Sequence, residues 1–234
     1  MTEYFLLLRR DIRFIEGLNA CMNCGVCTAI CPAAEFYNYD PRSICNILMT
    51  KDNEKIEYLL KTDTIWYCGQ CLSCKTRCPR GNVPALLISA LRQLSIETGL
   101  FAESEKGRQQ YAVMKTVGEN IINTGYCVHP ALLDLKLHPE QGPVMAWYKD
   151  NAEEVADMLG AHYNKEGEGA LRKISQDNLD ELKSIFNITG GTELFESINK
   201  YSKAKAKEMH INCEDKIENS AYFFHVYLNN DENQ

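Results

Sequence analysis

Positive charge is in short supply. The 234 residues include 25 lysines and arginines against 32 aspartates and glutamates, a net charge of -7. A nucleic-acid-binding chain carries the opposite balance, so no such partner is expected. Long apolar runs are also missing. Tyr4–Leu8 is cut off by Arg9, Arg10 and Asp11, too short for a secretory signal core or a bilayer span. No later stretch reaches about 18 uncharged apolar residues. Neither secretion nor direct membrane insertion is expected, and the chain reads as cytoplasmic. No strand pairs with an alternating pattern occur, and no Gly-x-Gly-x-x-Gly loop offers a flavin or nicotinamide site. The five histidines fall into no ligand or catalytic spacing. With 45 % apolar residues, the chain has material for one sizeable domain or two small ones.

Cysteine, by contrast, is plentiful. Eleven are present, an odd number. In a reducing compartment, clustered cysteines point to metal and not to disulfides. Eight fall in two tight groups. Cys21-Met-Asn-Cys24-Gly-Val-Cys27-Thr-Ala-Ile-Cys31-Pro32 reads C-x2-C-x2-C-x3-C-P. Cys68-Gly-Gln-Cys71-Leu-Ser-Cys74-Lys-Thr-Arg-Cys78-Pro79 repeats that spacing residue for residue, so the first half of the chain is an internal duplication.

A cubane cluster needs four converging thiolates. Three cysteines at this spacing can wrap one cube. The fourth is expected to start a helix that points away, and in two-cluster ferredoxins it serves the other cluster. The expected sets are therefore Cys21, Cys24, Cys27 and Cys78 for one [4Fe–4S] cluster, and Cys68, Cys71, Cys74 and Cys31 for the second. Pro32 and Pro79 lack an N–H and stop a helix running forward. Gly25 and Gly69 sit where backbone is expected to approach sulfide closely. Structural zinc is the rival, but it uses two C-x2-C pairs per ion and would leave the later cysteines of each group idle. Cys45, Cys127 and Cys213 read as small buried hydrophobes. His210 and Cys213 are spaced like half a metal site without a second pair. Trp66 and Tyr67 are expected to shield a cluster or fill the core. Lys75, Arg77 and Arg80 lie in or beside the second group, where positive charge favours a reduced cluster.

Helical signals fill the remainder. Asp40-Pro41 starts a short helix over 42–48. Asn53 is a possible cap for a helix over 53–61 whose apolar face is Ile56, Leu59 and Leu60. Asn82 can cap a helix over 83–98, with Leu86, Leu87, Ala90, Leu91 and Leu94 as its stripe and Gly99 as its stop. A helix over 104–123 follows, ended by Gly125. Beyond the irregular segment 126–143, helices are expected over 144–162, 178–186 and 192–209. Residues 221–228 (AYFFHVYL) are too short to assign by period and look like the most exposed apolar run. Asn229–Gln234 is a polar tail. The expected fold class is mainly α.

The doubled motif, a helical spacer near 36 residues between its halves, and CPRG at Cys78–Gly81 together resemble the heterodisulfide reductase C subunits. The likeness continues through LISALRQLSIETG (Leu87–Gly99) into INTGYCVHP (Ile122–Pro130), over roughly residues 10–145. It implies an α-helical ferredoxin fold with two [4Fe–4S] clusters. It also implies a non-catalytic role: relaying electrons between a flavin-bearing A subunit and a B subunit that converts substrate on CCG-type cysteine domains. The eight motif cysteines carry over as ligands. The chain continues past the expected length of the methanogen-type protein, as in heterodisulfide-reductase-like complexes of sulfur-oxidising bacteria. Residues 1–145 read as the two-cluster domain and 146–234 as a helical docking extension. Cys127 stands where a small residue of another type is expected.

The alternatives are an iron–sulfur subunit of another dehydrogenase complex, or a non-redox protein with structural clusters. A self-sufficient enzyme would need a Cys-Cys pair, which the sequence lacks. A [2Fe–2S] cysteine set, as in succinate-dehydrogenase-type subunits, has no room in the twenty residues before Cys21. No catalytic residue is assigned.

Overall fold

Asp40 and Pro41 begin a helix for separable physical reasons. The Asp40 carboxylate accepts the Arg42 N–H at 2.9 Å, and Pro41 loses nothing by lacking an N–H in a first turn. In the computed structural model, which describes residues 3–228, this logic recurs along a chain that is 67 % helical, with no strand among the described residues. The chain divides into two compact units, residues 1–110 with 197–234 and residues 111–196.

In the first unit the helices are α1 (Tyr4–Leu8), α2 (Ile12–Gly17), α3 (Val26–Ala29), α4 (Ala33–Phe36), α5 (Pro41–Thr50), α6 (Asn53–Lys61), α7 (Ser73–Arg77), α8 (Pro84–Thr98) and the start of α9 (Glu105–Val113). Helix α8 is the axis. Leu87, Ile88, Ala90, Leu91 and Leu94 are buried on it, and it packs against α1, α2, α5 and α6. Phe14, Ile44, Leu48, Ile56, Leu60 and Ile65 complete the same core. Each such side chain contributes about 1.5–3 kcal/mol on burial. Ser95 on α8 donates to the Leu60 carbonyl at 2.7 Å, fixing α6 against it. Gly17 lets α2 approach: a Cβ there would meet Leu87 Cδ2 at 3.1 Å and Leu86 Cβ at 3.3 Å. Gly99 ends α8 in the left-handed region, at φ 79°.

Two expected caps are corrected. Asp52, not Asn53, caps α6, accepting from the N–H groups of Glu54 and Lys55. Asn53 accepts the Phe5 N–H at 3.0 Å instead. Asn82 does not cap α8, which starts at Pro84 after Val83. Its side chain is committed to the site described below.

The second unit holds the end of α9, a π-turn at Met114–Gly118, α10 (Glu119–Thr124), α11 (Gly142–Met158), α12 (Gln176–Thr189) and the start of α13 (Gly191–Glu208). Gly125 closes α10 at φ 79° as expected, and Ser175 caps α12 through the Asn178 N–H.

The remainder of α13 and α14 (Ala221–Leu228) belongs to the first unit. Here Lys205 pairs with Glu103 at 3.1 Å. The AYFFHVYL run is helix α14, and the expectation that it is exposed is overturned: Tyr222, Phe223 and Val226 are buried. Tyr222 N–H donates to the Asn212 carbonyl at 2.9 Å, folding the run back into its unit. The polar tail at 229–234 lies outside the described residues.

Candidate metal centre

The two cysteine repeats adopt the same backbone. Asn23 and Gln70, equivalent positions, both take positive φ (58° and 53°), and so do Gly25 and Leu72 (78° and 60°). These left-handed residues turn the chain tightly. They bring the Asn23 N–H to Cys21 Sγ and the Gln70 N–H to Cys68 Sγ, each at 3.4 Å. Gly25 is placed by conformation, since glycine alone adopts that region without strain. Gly69 is not: its φ is ordinary, and a Cβ there would meet nothing within 4 Å.

Short helices follow, and here a detail of the expectation is corrected. In both repeats the fourth cysteine comes after a helix; a new helix, α4, follows Cys31 directly with Pro32 at its cap, so Pro32 does not stop a helix running forward, whereas after Cys78 the next helix waits until Pro84. Cys27 lies in α3 and Cys74 in α7, while Cys31 and Cys78 stand just beyond the C-terminal ends of those helices. Helices α3 and α7 pack side by side. Each fourth cysteine is thereby handed across to the opposite repeat. One cavity is lined by Cys21, Cys24, Cys27 and Cys78, and a second by Cys31, Cys68, Cys71 and Cys74. Pro84, the first residue of α8, touches both. All eight thiols are free and none is fully buried.

The surroundings of the sulfurs differ. Burial pushes the Cys27 and Cys74 thiols up, partly offset by hydrogen bonds from Thr28 and from the Ala85 backbone N–H respectively. Cys71 is held below the ordinary thiol range by the Ser73 hydroxyl, 3.4 Å away. At the first cavity, Asn82 donates to Cys78 Sγ from its backbone N–H at 3.3 Å and its side-chain amide at 3.7 Å, while its Oδ1 accepts the Asn19 N–H at 2.6 Å. Arg42 and Arg80 line that cavity too. Arg80 was expected beside the second group, but Cys78 carries it across, and its Nε donates to the Ala20 carbonyl at 3.3 Å.

At the second cavity, Arg92 gathers three carbonyls, those of Ile65 at 2.7 Å, Trp66 at 2.9 Å and Cys68 at 2.7 Å, with its guanidinium 5.3 Å from the Trp66 ring. Tyr67 stacks on Tyr37 at 4.4 Å and meets Tyr39 edge-on at 6.4 Å. Tyr39 itself lines the cavity.

Spacing gave no signal for Tyr39, Arg92 or Asn82, which come from outside the motifs. Cys45 is buried, as expected of a small hydrophobe, yet lines the first cavity, and burial raises its thiol further. Cys127 is exposed and Cys213 half-buried, which departs from the expected burial.

The donor sets suit an iron–sulfur cube: four motif thiols per cavity, with the buried Cys45 beside the first and no carboxylate or imidazole among the lining residues. Among the described residues, no three His, Cys, Asp or Glu side chains come together around a single-ion position. Four motif cysteines beside each cavity match the thiolate count of a four-iron cluster.

The class follows from this arrangement and from the family comparison. The model of the 4Fe-4S dicluster domain matches residues 17–82, the stretch that holds both repeats. The chain is 30 % identical over 202 residues to the C subunit of the ferredoxin:CoB-CoM heterodisulfide reductase of Methanosarcina acetivorans, covering 86 % of this chain and 72 % of that protein. It is 31 % identical over 109 residues to an iron-sulfur C subunit of the CoB–CoM heterodisulfide reductase of Methanocaldococcus jannaschii, covering 46 % of this chain and 55 % of that protein. A third relative is the C subunit of the H(2):CoB-CoM heterodisulfide,ferredoxin reductase of Methanothermobacter marburgensis, 27 % identical over 152 residues, 62 % of this chain and 75 % of that protein.

The chain belongs to the family of heterodisulfide reductase C subunits. The match with the Methanosarcina protein runs well past residue 145, so length beyond that point is not a departure from methanogen relatives, contrary to expectation. Among the described residues, no helix is long and apolar enough to cross a membrane.

Proposed function

We propose that the chain holds two [4Fe–4S] clusters with crossed ligation and serves as the electron-relay subunit of a cytoplasmic heterodisulfide reductase complex. The first cluster takes Cys21, Cys24, Cys27 and Cys78, and the second takes Cys31, Cys68, Cys71 and Cys74. The observation that supports this reading is the exchange of Cys31 and Cys78 between repeats, which gives each cavity four motif thiols. A bound [4Fe–4S] cluster supplies reversible one-electron transfer. The chain's own residues fix the sulfurs, donate N–H groups to Cys21, Cys68 and Cys78, and keep the two sites on either side of Pro84.

Electrons pass from a flavin-bearing A-type protein to a B-type protein with CCG domains. The exposed thiols Cys24 and Cys71 favour exchange with partners at short range. The helices after residue 145 supply docking surface. Trp147, Met158, Leu159 and Ile188 are exposed on them, as apolar side chains awaiting a partner would be.

The test is Cys31→Ser in the anaerobically purified full chain, followed by electron paramagnetic resonance. The expected result is damage to the cluster shared with Cys68, Cys71 and Cys74. Loss of the cluster held by Cys21, Cys24 and Cys27 would refute the crossed assignment.

A further inference from the structure

Tyr39 is an anomaly on physical grounds. Its side chain is 3 % exposed, and its hydroxyl is directed at the Cys68 thiol without closing a hydrogen bond of ordinary geometry. A buried hydroxyl left without a partner is destabilising, and phenylalanine would fill the same volume without that cost. The residue is also not placed at random. It stands immediately before Asp40, the cap of α5, with its ring edge-on to Tyr67. It forms part of the wall that also carries Cys31, Cys68, Cys71 and Cys74, and the Cys68 and Cys31 thiols are its electrostatic neighbours. The hydroxyl therefore faces sulfur.

We infer that Tyr39 donates its hydroxyl proton in a hydrogen bond to sulfur of the cluster in the second cavity, and thereby sets that cluster's reduction potential above the value its thiolates alone would give. The inference rests on the cluster reading above. Its physics is simple. One electron added to a cluster makes its sulfurs more negative, so a donor stabilises the reduced state more than the oxidised one. The first cavity has no tyrosine in its wall; there the donor to Cys78 is Asn82, which is already satisfied within the protein. Tyr39 thus acts on the second site and raises its potential independently of the first. It is a positioning residue for charge and not a ligand.

The experiment is a potentiometric titration of the full chain, purified anaerobically, as wild type and as Tyr39→Phe, with each centre followed by electron paramagnetic resonance. Tyr39→Phe is expected to retain its iron and to lower one potential. The shift is about tenfold in the reduction equilibrium, or ~59 mV for a one-electron couple. The potential that moves is that of the centre perturbed by Cys31→Ser. Unchanged potentials in a fully loaded variant, or movement of the other centre, overturn the inference while leaving the cluster reading intact. If the wild-type chain binds no iron, the cluster reading itself fails and this inference with it. Should Tyr39→Phe fail to load, 3-fluorotyrosine at position 39, a stronger donor, must raise the same potential; a loaded protein with no upward shift overturns the inference.

Discussion

Asn82 grips Cys78 twice, through its backbone N–H at 3.3 Å and its side-chain amide at 3.7 Å, while its carbonyl oxygen holds the Asn19 N–H at 2.6 Å. One buried amide thus joins the last cysteine of the second repeat to the segment leading into the first. Asn82→Ala removes the amide donor and orphans the Asn19 N–H. The expected cost is about 1–3 kcal/mol of stability, read as a lower denaturation midpoint. The potential of the centre containing Cys78 should fall, because a donor to its sulfur is lost.

Arg92 is the corresponding brace at the second site. Three carbonyls converge on one guanidinium, an arrangement that lysine cannot reproduce with a single ammonium. Arg92→Lys should lower stability by about 2–4 kcal/mol, since at least two inward carbonyls lose their donor. Thermal melting and iron content check this together. Iron should be lost first from the centre that includes Cys68.

The paired left-handed residues give a test by opposite signs. Gly25 and Leu72 occupy equivalent places at φ 78° and 60°. Gly25→Ala introduces strain of about 1 kcal/mol. Leu72→Gly releases strain of similar size, offset in part by the greater freedom of glycine in the unfolded chain. The first variant should melt lower and the second at or above wild type. Leu72 also lines its cavity, so Leu72→Gly should bleach faster in air despite its stability.

Much of this architecture is legible in the residues because it depends on local rules. The duplicated cysteine spacing announces the two sites. Asp40-Pro41, Gly99 and Gly125 mark helix ends by capping and by positive φ, and those ends are found where such residues stand. What stays hidden is tertiary. Asn82 has the composition of a cap, and only the approach of Cys78 and Asn19 diverts its side chain to another use. Arg80 neighbours the second repeat in sequence yet lines the first cavity, because the chain crosses over at Cys78. Residues 221–228 look like an exposed apolar run, and no local rule foretells that α14 rejoins the unit built by residues 1–110. Tyr39 carries no motif at all; its significance comes from a buried hydroxyl directed at the Cys68 thiol in a wall of four thiols.

The most direct measurement of the central claim is the content of iron, acid-labile sulfide and zinc in the anaerobically purified full chain. Two cubane clusters require about eight irons and about eight sulfides per chain, with broad absorption near 400 nm. Stoichiometric zinc with little iron would contradict the account.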